Sequence, residues 1–325
     1  MIEINIGENE AQQRTDRFLR KYLKTYTLGD IYKLFRTNKI KVNDKRVKEN
    51  YMLQLGDKVS LYIADVPAIP SGKAEKARGV AVTGLNIIYE DENIMIVNKP
   101  AGVLVHPDSP KDRDTLIDRV IAYLESKNAV DASFTFRPAI CNRLDRNTGG
   151  LVIVAKNYSS LKQINRLIRE KSITKLYKCI VKGKLPERGE IKNYLLKDEE
   201  SNKVEIREHY QEEAKEVHTV YRTLKTNGSY SLMEIDLITG RSHQIRAHFS
   251  SIGHPLAGDV KYGDKTANIY FKNNFKLEHQ FLFAYKIIFN KTWDHLEYLE
   301  GKSFECALPK ELDRVIDALF DGKEV

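Results

Sequence analysis

Cysteine is scarce in this chain, and its placement excludes more than its number does. Cys141, Cys179 and Cys306 are the whole set. Odd in count and far apart, they do not suit a disulfide framework, which points to a reducing compartment, the cytoplasm. Paired cysteine ligands of a zinc site are missing too. So are long apolar runs: no stretch of about 18 apolar residues occurs, which excludes a membrane-spanning helix. The opening Met1-Ile2-Glu3-Ile4-Asn5 has neither a basic region nor an apolar core, so no secretory signal is expected. No internal repeat or long low-complexity tract is apparent.

Charge, by contrast, is plentiful and unevenly spread. The 325 residues are 42% hydrophobic and 30% charged, a soluble globular composition with length for one small and one large domain. Net charge is +8, yet between Arg14 and Lys48 twelve Lys/Arg face only Asp16, Asp30 and Asp44. That local excess exceeds the surplus of the whole chain. Such concentration is the footprint of nucleic-acid binding rather than of an ordinary solvated face. The cations implicated are Arg14, Arg17 and Arg20, then Lys33 and Arg36, then Lys41, Lys45 and Arg46.

The same segment has a readable order. Thr15 can cap a helix carrying Phe18, Leu19, Tyr22 and Leu23 at helical spacing. Thr27 and Asp30 suit the capping box of a second, with Ile31, Leu34 and Phe35. Ile40 to Val47 reads as a strand and a tight Asn43-Asp44 turn, and Val59, Leu61 and Ile63 alternate as a further strand. Pro67, Pro70, Gly72 and Gly79 then mark an extended linker. We expect a basic module over 1–65, a linker over 66–84 and a larger domain over 85–325.

In the larger region, Ile87 to Val97 reads as two strands about an acidic turn, followed by Lys99-Pro100-Ala101-Gly102. Neither Lys99 nor His106 is assigned chemistry. Helices are expected from Asp114/Thr115, and from about Ser159 to Lys171. The most informative stretch is Arg143-Leu144-Asp145-Arg146-Asn147-Thr148-Gly149-Gly150-Leu151-Val152-Ile153-Val154. Its β-branched run reads as a buried strand, which anchors the Asp145 carboxylate just outside a sheet among arginines. Taken alone, Arg-x-Asp-Arg is more often a surface ion pair than a site. Lys175 to Gly183 alternates as a strand with Tyr177, Cys179 and Val181 on one face, where a Tyr is ordinarily packing. Thr239-Gly240-Arg241-Ser242-His243-Gln244-Ile245-Arg246-Ala247-His248 ends a strand and opens a polar helix, with Gly253 at its close. His243 and His248 are five residues apart, not the four that put two ligands on one helix face, and no Glu follows His243. No metal is expected.

Together these segments resemble the RluA-type pseudouridine synthases. Arg143 to Leu151 matches the central motif Arg-Leu-Asp-x-x-Thr-Ser-Gly-Leu, with Gly149 where Ser is usual and Asn142 where many members have His. Lys175 to Gly183 is similar to Lys-x-Tyr-x-Ala-x-Val-x-Gly, with Cys179 in place of the small residue. Thr239 to His248 is similar to Thr-Gly-Arg-x-His-Gln-Ile/Leu-Arg-x-His, and the order is the family's. Residues 12–63 resemble the alpha-L RNA-binding module through Arg14-x-Asp16-Arg17-Phe18-Leu19, Lys41-Val42-Asn43-x-Lys45-Arg46-Val47 and Leu55-Gly56-Asp57-x-Val59.

The resemblance implies an α+β fold whose catalytic domain is built on mainly antiparallel sheet. It implies Asp145 as the catalytic carboxylate and Arg246 as its partner. Tyr177 would lie against the base, Arg241 would hold the RNA, and Arg143 would fill the gap left by a displaced uridine. Large-subunit (23S) ribosomal RNA is the leading substrate and transfer RNA the alternative, for a monomer with no expected partner in DNA or membrane. In the implied reaction, uridine loses its N-glycosidic bond, its uracil turns while held, and the ring rejoins through carbon. That requires a carboxylate at the sugar–base junction and a base taken out of the stack, but no redox change, cofactor or metal. A non-catalytic RNA-binding or ribosome-associated protein would account for residues 12–63 and leave Asp145, Tyr177 and Arg246 unexplained. A metal-dependent RNA hydrolase would need ligands that the sequence does not supply.

Overall fold

The computed structural model describes residues 1–63, 84–109, 111–127, 136–198 and 203–322. Apart from Gly84, the linker expected over 66–84 lies outside them. Near the N-terminus the elements are β1 (Ile2–Asn5), α1 (Thr15–Tyr22), α2 (Leu28–Arg36), β2 (Ile40–Val42), β3 (Lys45–Arg46) and β4 (Lys58–Leu61). The four strands form one antiparallel sheet in the order β1-β4-β2-β3. The helical stripes close it: Phe18, Leu19, Leu23, Ile31 and Phe35 bury against Ile40, Val42, Val59 and Leu61. Thr27 and Asp30 form their capping box, and Asn43 and Asp44 turn the β2–β3 hairpin with φ of +49° and +61°.

Thr15 departs from its expected place. Arg14 is the N-cap of α1, and Thr15 is its first helical residue. The reason is a pairing that sequence spacing does not reveal. Arg14 bridges to Met52, and both the Thr15 N–H and hydroxyl donate to the Tyr51 carbonyl, at 2.9 and 3.0 Å. The hydroxyl is thereby turned away from the helix end.

The larger sheet has eleven strands. In chain order the elements are β5 (Asn86–Glu90), β6 (Ile94–Lys99), α3 (Leu116–Ser126), β7 (Ala139–Ile140), β8 (Gly149–Ala155), α4 (Tyr158–Arg169), β9 (Ile173–Lys182), β10 (Arg188–Asp198) and β11 (Lys203–Arg207). There follow β12 (Lys215–Thr226), β13 (Tyr230–Leu237), α5 (Gln244–Ser251), α6 (Lys265–Phe275), β14 (Leu282–Phe289), a 3-10 turn over Asp294–Leu299, β15 (Ser303–Glu305) and α7 (Lys310–Phe320). Strand order is β11-β10-β12-β13-β9-β14-β8-β6-β5, with β7 on β8 and β15 on β14. The described pairings are antiparallel except β8 with β14.

Strand β8 shows why this sheet needs two covers. All seven of its residues are buried, and they alternate between faces. Val152 and Val154 join one core with α3 and α5, whereas Leu151 and Ile153 join another with α4, α6 and α7. Full burial of such a side chain contributes about 1.5–3 kcal/mol. Gly150 is required where β8 meets β14: its φ is +118°, and a Cβ there would lie 2.1 Å from the Ala284 carbonyl oxygen. The N-terminal unit touches this domain at the start of α4. Asn9 Oδ1 accepts the Tyr158 N–H at 3.0 Å, and Gln12 Oε1 accepts Lys162 Nζ at 3.1 Å. No helix among the described residues is long and apolar enough to cross a membrane.

Candidate active site

Asp145 precedes β8 by a short turn, and that turn is fastened from several sides. Thr148 N–H donates to the Asp145 carbonyl at 3.1 Å, and the Thr148 hydroxyl accepts from Gln280 Nε2 at 3.2 Å. Beneath it lies Lys99, fully buried at the end of β6. Its ammonium donates to the carbonyls of Pro100, Val103 and Arg146, at 3.0, 2.8 and 2.9 Å. Three protons thus meet three acceptors, stitching the Lys99–Gly102 turn to the Asp145 turn. Burial pulls the Lys99 ammonium down to about 7, against the attraction of Asp145. The three carbonyls favour the charged form as well. The sequence alone assigns Lys99 no chemistry, and its observed work is structural.

The five side chains expected at the site come from three distant segments and line one cleft. Arg143 and Asp145 arrive on the turn before β8, Tyr177 from β9, Arg241 from the β13–α5 loop, and Arg246 from α5. Leu237, Ile245 and Leu282 supply apolar wall. Arg143 and Arg241 are exposed at the rim, while Tyr177 and Arg246 are buried. The Tyr177 phenol is pushed up, by burial first and then by the charge of Asp145, so it stays protonated. A second cleft, which includes Arg188, Arg222, Glu234 and Asp236, contains none of the five.

Arg246 is the hinge of the charge arrangement. Its Nη1 donates to Asp145 Oδ2 at 3.0 Å. Its Nε and Nη2 donate to Asp259 at 2.7 and 2.9 Å, a bidentate pair. Burial works against the Arg246 cation, but the hydrogen bonds and charges of the two carboxylates outweigh it and hold Arg246 above its usual range. For Asp259 burial alone would raise the carboxyl, and Arg246 with two backbone N–H groups brings it below its ordinary value instead.

The loop that delivers Arg241 is set by Gln244. Its Oε1 accepts from Thr239 Oγ1 and the Arg241 N–H, at 2.9 and 3.1 Å, while its Nε2 donates to the His218 carbonyl and Thr219 Oγ1. His243, the N-cap of α5, has φ +54°. A non-glycine residue persists there only when its surroundings over-determine it. His243 Nδ1 shares a 2.9 Å hydrogen bond with the Tyr262 hydroxyl. Helix α5 starts at Gln244, and Gly253 follows its C-cap Ile252 with φ +79°. Among the described residues, no three His, Cys, Asp or Glu gather as a metal-holding group.

The cations of the N-terminal unit are disposed otherwise. Arg17, Arg20, Lys33 and Arg36 are exposed on α1 and α2, and Lys45 and Arg46 are the exposed β3. Lys41 is half-buried with its ammonium 5.2 Å from the Tyr62 ring centroid. Arg14 is engaged within the fold, bidentate on Asp16 at 3.1 and 2.8 Å.

A buried cation aligned on a carboxylate, with a phenol and apolar walls around it, suits a flat neutral base joined to an anionic backbone. Comparison with known proteins gives the same direction. The family profile described as RNA pseudouridylate synthase matches residues 93–251. The Vibrio cholerae protein named ribosomal large subunit pseudouridine synthase C is 34% identical over 293 residues, 88% of each chain. This chain belongs to the RNA pseudouridine synthase family. The enzyme is an isomerase that converts uridine to pseudouridine in RNA. It is also 32% identical to an uncharacterized RNA pseudouridine synthase of Mycoplasma genitalium, again over 88% of both chains. Among solved structures, human RNA pseudouridylate synthase domain containing 4 shares the fold, with TM-score 0.58 and 23% identity over 72% of this chain and 92% of that one.

Proposed function

We propose that this enzyme isomerises uridines of large-subunit ribosomal RNA, using the Asp145 carboxylate as its catalytic group. One observation carries the assignment of the group. Asp145 reaches into the cleft with one oxygen held by Arg246 at 3.0 Å, beside a buried phenol and apolar wall. A carboxylate so placed meets the sugar–base junction of a nucleotide whose uracil lies in the cleft. Tyr177 packs against the base, Arg241 holds the backbone, and Arg143 enters the gap that the displaced uridine leaves. The large-subunit substrate is supported by the relative of that printed name in Vibrio cholerae.

Residues 1–65 act as an alpha-L-type RNA-binding module, joined through 66–84 to a catalytic domain over 85–325. Its exposed cations contribute affinity by displacing counterions from phosphates. The enzyme works as a monomer in the cytoplasm. Mapping pseudouridine in ribosomal RNA from cells with the gene, without it, and with an Asp145→Asn allele tests the proposal. Large-subunit sites that disappear in the second and third cells are expected. Loss of sites only in transfer RNA would replace the substrate, and full modification with Asp145→Asn would remove Asp145 from its role.

A further inference from the structure

We propose that Asp259 is a positioning residue for the reaction: by gripping the Arg246 guanidinium at two points, it fixes the nitrogen that Arg246 presents to Asp145. The inference deepens the reading of Asp145 above and rests on it. Asp259 lies fully buried between α5 and α6. Its Oδ2 takes Arg246 Nε at 2.7 Å and its Oδ1 takes Nη2 at 2.9 Å, which occupies one whole edge of the guanidinium. Nη1 is left to reach Asp145 Oδ2 at 3.0 Å.

The grip is itself anchored. Asp259 Oδ1 also accepts the N–H groups of Lys261 and Tyr262, at 2.9 and 3.0 Å. Its carbonyl accepts from the Gly263 N–H at 2.8 Å and Asn268 Nδ2 at 2.9 Å. The loop is therefore wound about this one residue. A Cβ at Gly258 would lie 2.3 Å from the His279 carbonyl oxygen, so the chain has no slack there. Tyr262, carried by the same loop, sets its ring 5.1 Å from the Arg246 guanidinium carbon. An arginine bonded only through Nη1 would keep its side-chain torsions free, whereas a planar fork held on one edge has a single orientation. Near reacting atoms, a displacement of about 1 Å costs about 100-fold in rate.

The test uses the full chain. Asp259→Asn is expected to slow single-turnover isomerisation at saturating enzyme about 100-fold, with RNA affinity changed less than about threefold. Arg246→Lys keeps the charge but loses the planar fork, so it cannot grip Asp259 along one edge while presenting a separate, fixed nitrogen to Asp145, and it is expected to lose rate to a similar degree. In the Arg246→Lys background, Asp259→Asn should then add less than about threefold, because both changes break the same link. Losses that multiply would assign Asp259 to loop structure alone and overturn the proposal. So would Asp259→Asn turnover within about threefold of the unaltered enzyme. Should Asp259→Asn fail to fold, Arg246→Lys decides: unaltered turnover there means the two-point grip is not needed. Asp145→Asn is assayed beside them. An active Asp145→Asn defeats the reading of Asp145 and this inference with it, whereas an inactive Asp145→Asn with an active Asp259→Asn defeats the inference alone.

Discussion

Arg17, Arg20, Lys33 and Arg36 stand exposed on α1 and α2, while Arg246 in α5 is buried between carboxylates 2.7 to 3.0 Å away. The two regions use the same kind of cation for opposite ends. An exposed side chain keeps its freedom, meets phosphate wherever the RNA presents it, and is screened by salt. A buried guanidinium has given up that freedom for geometry: it exists in one orientation, held by partners that are themselves fixed. In our reading affinity therefore resides chiefly in the first region, with Arg241 at the cleft rim adding to it, and rate in the second. Arg14 belongs by position to the first and by behaviour to the second, since Asp16 already occupies its fork.

The comparison breaks most visibly at Arg246. Arg246→Ala leaves buried Asp259 without its cation, which should destabilise the fold by about 3–5 kcal/mol. Turnover should fall by at least about 100-fold. Arg241→Ala, at the rim, should chiefly weaken RNA binding. Denaturant titration and single-turnover rates check both, and an exchange of the two phenotypes would exchange the roles.

A pH test separates the regions by stability. His248 in α5 is fully buried with its Nδ1 on the Thr219 hydroxyl at 2.8 Å, and burial lowers it to about 4. The folded form thus keeps it neutral, whereas the unfolded chain binds a proton below about 6.5. Stability contributed above that value is lost as pH falls toward about 4, up to about 3 kcal/mol. The first 63 residues contain no histidine, so this loss is confined to the larger domain. Urea titrations at pH 7 and 4.5 that coincide would contradict this account of His248.

Arg143 sharpens the comparison because it is an exposed cation inside the region to which we assign rate. Arg143→Ala should slow isomerisation of a stem-loop about tenfold more than that of the same uridine in an open loop, where no gap has to be filled. Equal losses would favour an ion-pair role instead. The smallest effects belong to the N-terminal unit. Removing one of Arg17, Arg20, Lys33 or Arg36 should reduce the slope of log affinity against log salt by about 0.7–0.9 for each phosphate no longer neutralised, with the single-turnover rate unchanged. A changed rate at saturating enzyme would blur the division.

Local signals were legible where they are self-contained. The apolar run of β8, the capping box of Thr27 and Asp30, and the Asn43-Asp44 hairpin turn each carry their cause within a few residues. What the sequence hides is set by partners far along the chain. Thr15 loses its cap to Tyr51, and Asp259 finds Arg246 only because the loop after α5 folds back upon it. The burial of Lys99 likewise needs carbonyls on two separate turns. The motif residues from Arg143 to Arg246 share one cleft because β8, β9 and β13 lie near one another around β14, an order that no spacing announces.

The most direct test is Asp145→Asn in the purified full chain, read for single-turnover rate and RNA affinity on the same preparation. Asn preserves size while removing the charge. We expect isomerisation to fall by about 10³-fold or more, with the affinity and its salt slope those of the unaltered enzyme. Turnover near the original rate, or a loss of affinity matching the loss of rate, would contradict the assignment of rate to this carboxylate.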